Sequence, residues 1–331
     1  MCKGLPKVLI TGGAGFIGSA FTRLAVKRGY RAIVLDKLTY AGDLTRLKEI
    51  EGRYKFYRAD ISCPKQIAGI FKKESPKIIV NFAAESHVDR SILDAGPFIK
   101  TNILGTQVLL DAARRYKVGR FIHISTDEIY GETIKGKFSE DSPLKPNSPY
   151  AASKAAGDLL IKSYIRTYGF PAIIVRPSNN YGPWQYPEKL LPLAILKILR
   201  NEKIPIYGKG RNTREWLYVT DCARGILSIM ERARLGGIYN LGSGAERKNI
   251  DIISAILKIF RKGRRYIKFV KDRPGHDLRY RLDSEKVFKE TGWQPEISLK
   301  NGLEDTVEWC LEYKDWLLSK HRTVALLYKY K

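Results

Sequence analysis

Two short stretches carry side chains that can move protons. "HISTDEIYG" (123–131) sets Thr126, Asp127 and Glu128 in a row directly behind an apolar run, and "YAASK" (150–154) sets Tyr150 and Lys154 four residues apart. On a helix that spacing puts the phenol and the ammonium on one face. A phenolate takes the proton of a carbinol during hydride transfer if a neighbouring ammonium and a positively charged hydride acceptor lower its pKa. The plain alternative is a Tyr–Lys surface pair. Hydride transfer needs one proton acceptor, so two further carboxylates beside the site call for a second reaction. Their plain alternative is capping of the segment that follows.

A hydride acceptor needs a cradle, and "TGGAGFIG" (11–18) offers one. Gly12, Gly15 and Gly18 stand at the turn from a strand into a helix, where backbone N–H groups approach a pyrophosphate and the helix N-terminus favours its charge. A glycine triplet alone also fits a loop that merely needs positive φ. Here Asp36 ends the second strand candidate, placed to hydrogen-bond both ribose hydroxyls and to repel a 2′-phosphate. That favours NAD over NADP, tempered by the neighbouring Lys37. Asp60 and Ile61 end the third strand candidate, and "AAESH" (Ala83, Ala84, Glu85, Ser86, His87) ends the fourth. Singly, Asp60 reads as a helix cap and His87 as a loop histidine. Together they lie where open α/β sheets bind ligands.

The elements that must position these groups alternate along the first half. Strand candidates span 7–12, 31–36, 55–60, 77–84, 120–126 and 171–177, with helical spacing between them, as in "GTQVLLDAARRYKV". Such alternation implies an α/β fold, a Rossmann-type doubly wound parallel sheet covered on both faces. After residue 177 the pattern loosens into loops punctuated by Pro and Gly. The expected organisation is an NAD-binding domain over 1–177, to which 216–243 returns a helix and a strand, and a smaller mixed α/β substrate lobe from 178–215 and 244–331.

Five stretches carry a closer likeness: "AAESHVDRSI", "STDEIYG", "RPSNNYGPWQYPEKLLP", "KIPIYGKGRNTREWLYVTD" and "DRPGHDLRY". Through them the chain resembles the extended short-chain dehydrogenase/reductases that act on nucleotide sugars, and most of all the 4,6-dehydratases of dTDP-glucose in that family. The resemblance implies oxidation at carbon 4 of the hexose, loss of water across carbons 5 and 6, and hydride return to carbon 6, with NAD recycled in each turnover. It assigns Tyr150, assisted by Lys154, to the carbon 4 hydroxyl, Thr126 to the same oxygen, Glu128 to the carbon 5 proton and Asp127 to the departing hydroxyl.

The resemblance extends the cofactor set to Phe16, Ile17, Leu38, Thr39, Thr101 and Asn180. It places Ser86, His87, Thr126, Asn179, Lys189, Leu190, Arg214, Asn249, Arg273 and His276 around sugar and diphosphate, with Pro205, Ile206 and Tyr207 near the base. Arg214 and Arg273 suit a pyrophosphate chemically. Glu215 stands where the family commonly has Asp, and Cys222 and Cys310 where it has bulkier groups. The resemblance also implies a homodimer through the helix of Tyr150 and its neighbour near 97–116, in the context of deoxysugar synthesis such as that of rhamnose.

Other readings remain at this point. A UDP- or GDP-sugar dehydratase, a decarboxylase or a 4-epimerase shares the scaffold, although an epimerase needs no acid for a leaving group. A more distant reading is a non-catalytic NAD-binding protein that contacts nucleic acid. The chain of 331 residues carries 59 lysines and arginines against 34 aspartates and glutamates, a net charge of +25. An anionic substrate, nucleic-acid or membrane contact through 260–273, and a solvated basic surface each accommodate that charge. The surface reading is favoured, and nucleic acid is not an expected partner. No apolar run approaches the ~18–20 residues that span a bilayer, and the N-terminal run is too short for a signal peptide, so a cytoplasmic location is expected. Cys2, Cys63, Cys222 and Cys310 lack metal-ligand spacing, so neither a metal site nor a disulfide is expected.

Overall fold

The computed structural model describes residues 5–320. Cys2 and the part of the expected lobe beyond residue 320 lie outside them. In chain order the first half runs β1 (Lys7–Thr11), α1 (Phe16–Lys27), β2 (Arg31–Asp36), β3 (Tyr54–Arg58), α2 (Pro64–Glu74), β4 (Ile78–Asn81), α3 (Val88–Leu93), a single turn α4 (Gly96–Phe98), α5 (Thr106–Arg115), β5 (Arg120–Ile124), α6 (Pro149–Tyr168) and β6 (Ala172–Pro177). The second half runs β7 (Asn179–Tyr181), α7 (Leu190–Leu199), β8 (Ile204–Tyr207), β9 (Thr213–Tyr218), α8 (Val219–Arg232), β10 (Ile238–Leu241), β11 (Glu246–Lys248), α9 (Asn249–Ile259), β12 (Ile267–Val270), α10 (Glu285–Thr291), α11 (Leu299–Glu312) and α12 (Lys314–Ser319).

Seven strands form one parallel sheet in the order β10-β6-β5-β4-β1-β2-β3. Successive side chains point to opposite faces, so each strand feeds two cores. Val8, Ile10, Val34 and Ile122 pack on one face with Phe21 and Ile226, and Leu9, Ile33, Ile79 and Phe121 pack on the other with Phe71 and Leu109. Burial on both faces is why these strands read as continuous apolar runs. The strand order reverses between β1 and β4, and the crevice outside their C-terminal ends is the ligand position of such sheets.

The helix that carries Tyr150 and Lys154 has sequence-encoded ends. The Ser148 side chain accepts from the Ala151 N–H at 3.1 Å, Pro149 stands at the first helical position, and Gly169 closes the helix at φ +60°. These are the residue types that start and stop helices. Ahead of α5, residues Ile99–Gly105 form a π-helical segment.

The second half builds a lobe with its own core, in which Ile195, Ile206, Trp216, Ile253 and Val307 are buried. A three-stranded sheet (β11-β9-β7) and a parallel pair (β12-β8) support it. β10 joins the main sheet beside β6, and α8 packs against α1. Two details differ from the sequence pattern. "REWLY" is strand, with Trp216 and Tyr218 buried in the lobe, and the helix starts only at Val219. The segment after 244 is also not all lobe: Val287 and Trp293 belong to the core of the main sheet, because α10 packs on α8 and β10.

Candidate active site

The cofactor end of the cleft is formed by backbone. Gly12 has φ +66°, and a Cβ there would lie 2.6 Å from the Ala83 nitrogen; a Cβ on Gly18 would lie 2.2 Å from the Gly12 carbonyl oxygen. The loop therefore packs without side chains at these points. Gly15 opens α1 with no side-chain cap, which leaves the first helical N–H groups facing the cleft. Asp36 accepts from the Ala14 N–H at 3.0 Å and the Leu38 N–H at 2.8 Å. Each oxygen keeps a second acceptor position for a ribose hydroxyl. Burial raises the Asp36 pKa, and the two amides and Arg46 oppose this.

Asp36, Lys37, Thr39, Asp60, Ile61, Ala83, Ala84, Glu85 and Thr101 line one cavity with Gly12 and Gly15. The larger cavity it joins is lined by Phe16, Ile17, Gly18, Ser86, Thr126, Asp127, Glu128, Tyr150, Lys154, Asn179, Asn180 and Lys189. Leu38 lines neither cavity; it has φ +54° and donates its N–H to Asp36. Asp60 acts locally as well, pairing with Lys37 at 2.7 Å and accepting from the N–H and hydroxyl of Ser62.

Thr126, Asp127 and Glu128 lie just beyond β5, where a single 3-10 turn covers Asp127–Tyr130. The cap of that turn is Thr126, whose hydroxyl oxygen accepts from the Glu128 N–H at 3.3 Å. The two carboxylates are thus not needed as caps. Thr126 is also hydrogen-bonded to the Tyr150 phenol and lies 3.3 Å from Asp127 Oδ1.

The two carboxyl groups are unequal. Burial first, and the Glu128 charge second, raise the Asp127 pKa well above the usual carboxylate range. Burial also raises that of Glu128, but Arg273, Arg214 and Lys189 oppose it. Asp127 Oδ2 is buried and has no partner among the described residues. The site therefore holds one carboxyl group pushed toward its protonated form and one whose charge is supported by three cations, an asymmetry that suits an acid beside a base.

Lys154 is buried and donates to the Ile124 carbonyl at 2.6 Å. Burial pulls its pKa down to about 8, and Asp158 opposes. Tyr150 departs from the simple expectation: burial pushes its phenol upward, Glu128 and Asp127 push the same way, and only the Thr126 hydrogen bond opposes. Lys154 is anchored on the end of β5, and apart from Thr126 none of the chain's own groups lowers the phenol.

The expected sugar and base residues divide. Lys189 reaches across the cleft to the Ser86 carbonyl at 2.9 Å. His87 caps α3, accepting from the Arg90 N–H at 3.4 Å; burial lowers its pKa to about 3. Outside the two cavities, Tyr207 donates to Asp89 at 2.6 Å, Arg273 pairs with Asp89 at 3.4 Å, and His276 stacks edge-on against Tyr207. Arg214 lies over the Tyr280 ring and donates to the Asp277 carbonyl at 2.9 Å. Asn249 opens α9, and its buried Oδ1 has no partner among the described residues. Pro205 and Leu190 are half-buried at the start of β8 and α7, while the Ile206 side chain belongs to the lobe's core.

Several site residues had no sequence signal. Asn102 sits in the π-helical segment, exchanges hydrogen bonds with the Glu85 backbone at 2.9 and 3.0 Å, and donates to Ser153 at 2.8 Å, joining the cofactor loop to α6. Ser178, Gln185 and Arg46 also line the larger cavity. The residues fit a dinucleotide: beside the uncapped N-terminus of α1, Ser178 Oγ, Asn179 Oδ1 and Gln185 Oε1 are buried without partners among the described residues.

Comparison with known proteins gives the same reading. The family model described as GDP-mannose 4,6 dehydratase matches residues 9–306. Among curated relatives, a dTDP-glucose 4,6-dehydratase from Streptomyces niveus is 45% identical, covering 94% of each chain. One from Escherichia coli is 44% identical, covering 94% of this chain and 95% of that one. The solved dTDP-glucose 4,6-dehydratase DesIV from Streptomyces venezuelae, with NAD bound, superposes with a TM-score of 0.91 at 45% identity, covering 94% of this chain and 98% of that one. A UDP-glucose 4-epimerase from Thermotoga maritima, at 31% identity, still reaches 0.86 over 92% of this chain and 99% of that one. The fold therefore does not separate the two activities. The chain belongs to the extended short-chain dehydrogenase/reductase family, in its branch of nucleotide-sugar 4,6-dehydratases.

Proposed function

We propose that this chain converts dTDP-glucose to dTDP-4-keto-6-deoxyglucose. Relatives at 44–45% identity that carry this activity in their names support it. The observation that carries the reading is the unequal pair Asp127 and Glu128 beside Tyr150 and Lys154. When bound, NAD would supply a hydride acceptor for carbon 4, a hydride donor for carbon 6 and a positive charge that favours the Tyr150 phenolate.

The chain's own groups handle the protons. Tyr150 Oη takes the proton of the carbon 4 hydroxyl, and Thr126 Oγ1 holds the same oxygen as it becomes a ketone. The ketone acidifies carbon 5, whose proton Glu128 removes. Asp127, pushed toward its protonated form by burial, gives its proton to the hydroxyl leaving carbon 6. Glu128 then returns a proton to carbon 5. Arg214, Arg273 and Lys189 support the Glu128 charge and face the same end of the cleft as a sugar diphosphate would.

The domain holding 1–177 and 216–243 binds the cofactor in this reading, and the lobe closes on the sugar nucleotide. The protein acts in the cytoplasm, in deoxysugar synthesis of the rhamnose type, as a homodimer. Ile99, Leu104 and Leu159 support the pairing: they lie 55%, 46% and 56% exposed on α6 and the segment packed beside it. Sedimentation would then give twice the 37.7 kDa chain mass.

The test is to incubate the protein with dTDP-, UDP- and GDP-hexoses in deuterium oxide. The expected result is a 4-keto-6-deoxy product from dTDP-glucose, seen by its alkaline absorbance, with deuterium at carbon 5. Turnover of a UDP-hexose with none of dTDP-glucose would overturn the substrate assignment.

A further inference from the structure

Two arginines are 1% exposed, Arg46 and Arg176. Arg176 has the partner that a buried cation needs, the Asp158 carboxylate at 2.9 Å. Arg46, in the 3-10 segment Leu44–Ile50, has none. Its Nη1 donates to the Ala14 carbonyl at 2.8 Å and the Ala41 carbonyl at 2.5 Å, and its Nε to the Trp184 carbonyl at 3.2 Å. The guanidinium also lies over the Trp316 ring. All of these partners are neutral, and no carboxylate among the described residues stands within ion-pair distance. Asp43, close in sequence, is occupied by Trp316 Nε1 and Lys320 Nζ, each at 2.8 Å.

An unpaired charge in the interior is costly, and its remaining donor is also unsatisfied: Nη2 is buried without a partner. Arg46 lines the larger cavity together with Gly12, Gly15, Phe16 and Ile17, at the uncapped start of α1. Resting on the cofactor reading above, we propose that Arg46 is the counter-cation of the NAD diphosphate, and that bound NAD supplies both the charge and the acceptor this side chain lacks. The helix N-terminus and the guanidinium then act on the same anion from two elements. Burial pulls the Arg46 pKa down to about 10, with Asp43 and Asp36 opposing, so the group is cationic at neutral pH.

Arg46 also braces three backbone segments, so the test must separate a brace from a charge. Protein stripped of cofactor is titrated by calorimetry with NAD, ADP and adenosine at low and high salt, as the unsubstituted chain, Arg46→Gln and Arg46→Lys. Arg46→Gln is expected to weaken NAD and ADP by ~10- to 100-fold, the range for a hydrogen bond to a charged group, and to leave adenosine unchanged. It should also flatten the salt dependence of NAD affinity, which Arg46→Lys should retain with a smaller loss. Equal weakening of NAD and adenosine would mean a brace alone and overturn the proposal, as would unchanged NAD affinity. If Arg46→Gln does not fold, Arg46→Lys decides: a loss shared equally by NAD and adenosine, or no loss, overturns the assignment. Failure of the unsubstituted chain to take up NAD would sink the cofactor reading and Arg46's role with it.

Discussion

The cofactor end and the sugar end of the cleft are built on different principles. At the cofactor end, strand termini and glycines shape the surface, and the carboxylates at the strand ends are held by the chain itself: Asp36 holds two amides, and Asp60 holds Lys37 and Ser62. At the sugar end, side chains from several separate segments converge on two carboxyl groups, and buried polar atoms such as Asp127 Oδ2 and Asn249 Oδ1 lack partners among the described residues. One end is a rigid mould, and the other is a set of charges whose balance decides which proton moves. Steric changes should therefore act mainly at the first end, and isosteric charge changes at the second.

The strongest contrast comes from Asp127→Asn. It preserves shape and removes the proton donor, so water loss should slow by ~10³-fold, within the range for a positioned acid. Hydride transfer to NAD, followed by absorbance in a single turnover, should persist. The pH profile sharpens the point. A carboxyl group with a raised pKa donates its proton below that pKa, so the elimination rate of the native chain should fall as pH rises through the elevated Asp127 pKa. The Asn variant should lack that alkaline limb. Equal loss of hydride transfer and elimination would contradict the leaving-group role.

Gly12→Ala tests the mould. The new Cβ would lie 2.6 Å from the Ala83 nitrogen, at a φ of +66° that side chains disfavour. Strain and overpacking at ~1–3 kcal/mol each predict a fall in NAD affinity of roughly 100-fold, measured by calorimetry. The proton chemistry of any residual loaded protein should be unchanged. A variant that binds NAD normally but eliminates water slowly would dissolve the distinction between the two ends.

The same distinction explains what the sequence discloses. The strand ends and the glycine turn of the cofactor end follow from local rules: apolar runs give strands, glycines give the turn, and Asp36 marks a strand end. The two acids are legible only as neighbours. That Asp127 is the stronger proton holder depends on burial and on Arg214, Arg273 and Lys189, which are far away in the chain. Nothing local in "DLTRLKEI" says that Arg46 turns inward beneath the glycine loop. "REWLY" reads as the start of a helix because its pairing partners, β7 and β11, lie elsewhere.

Lys154 stands where the two ends meet, and its cost to the fold can be measured. Its folded pKa of about 8 lies below the ~10.4 of an unfolded lysine. Between those values the unfolded chain holds the extra proton, so stability from this group is complete only above ~pH 10.4 and is lost as pH falls through about 8. At pH 7 the buried charge costs roughly 3 kcal/mol. Lys154→Met removes that cost but strands the Ile124 carbonyl, a penalty of ~1 kcal/mol. The variant should therefore be more stable to urea at pH 7 by about 2 kcal/mol, with the advantage vanishing above ~pH 10, while hydride transfer is lost. A loss of stability at pH 7 would show that Lys154 belongs to the satisfied mould and not to the strained chemistry.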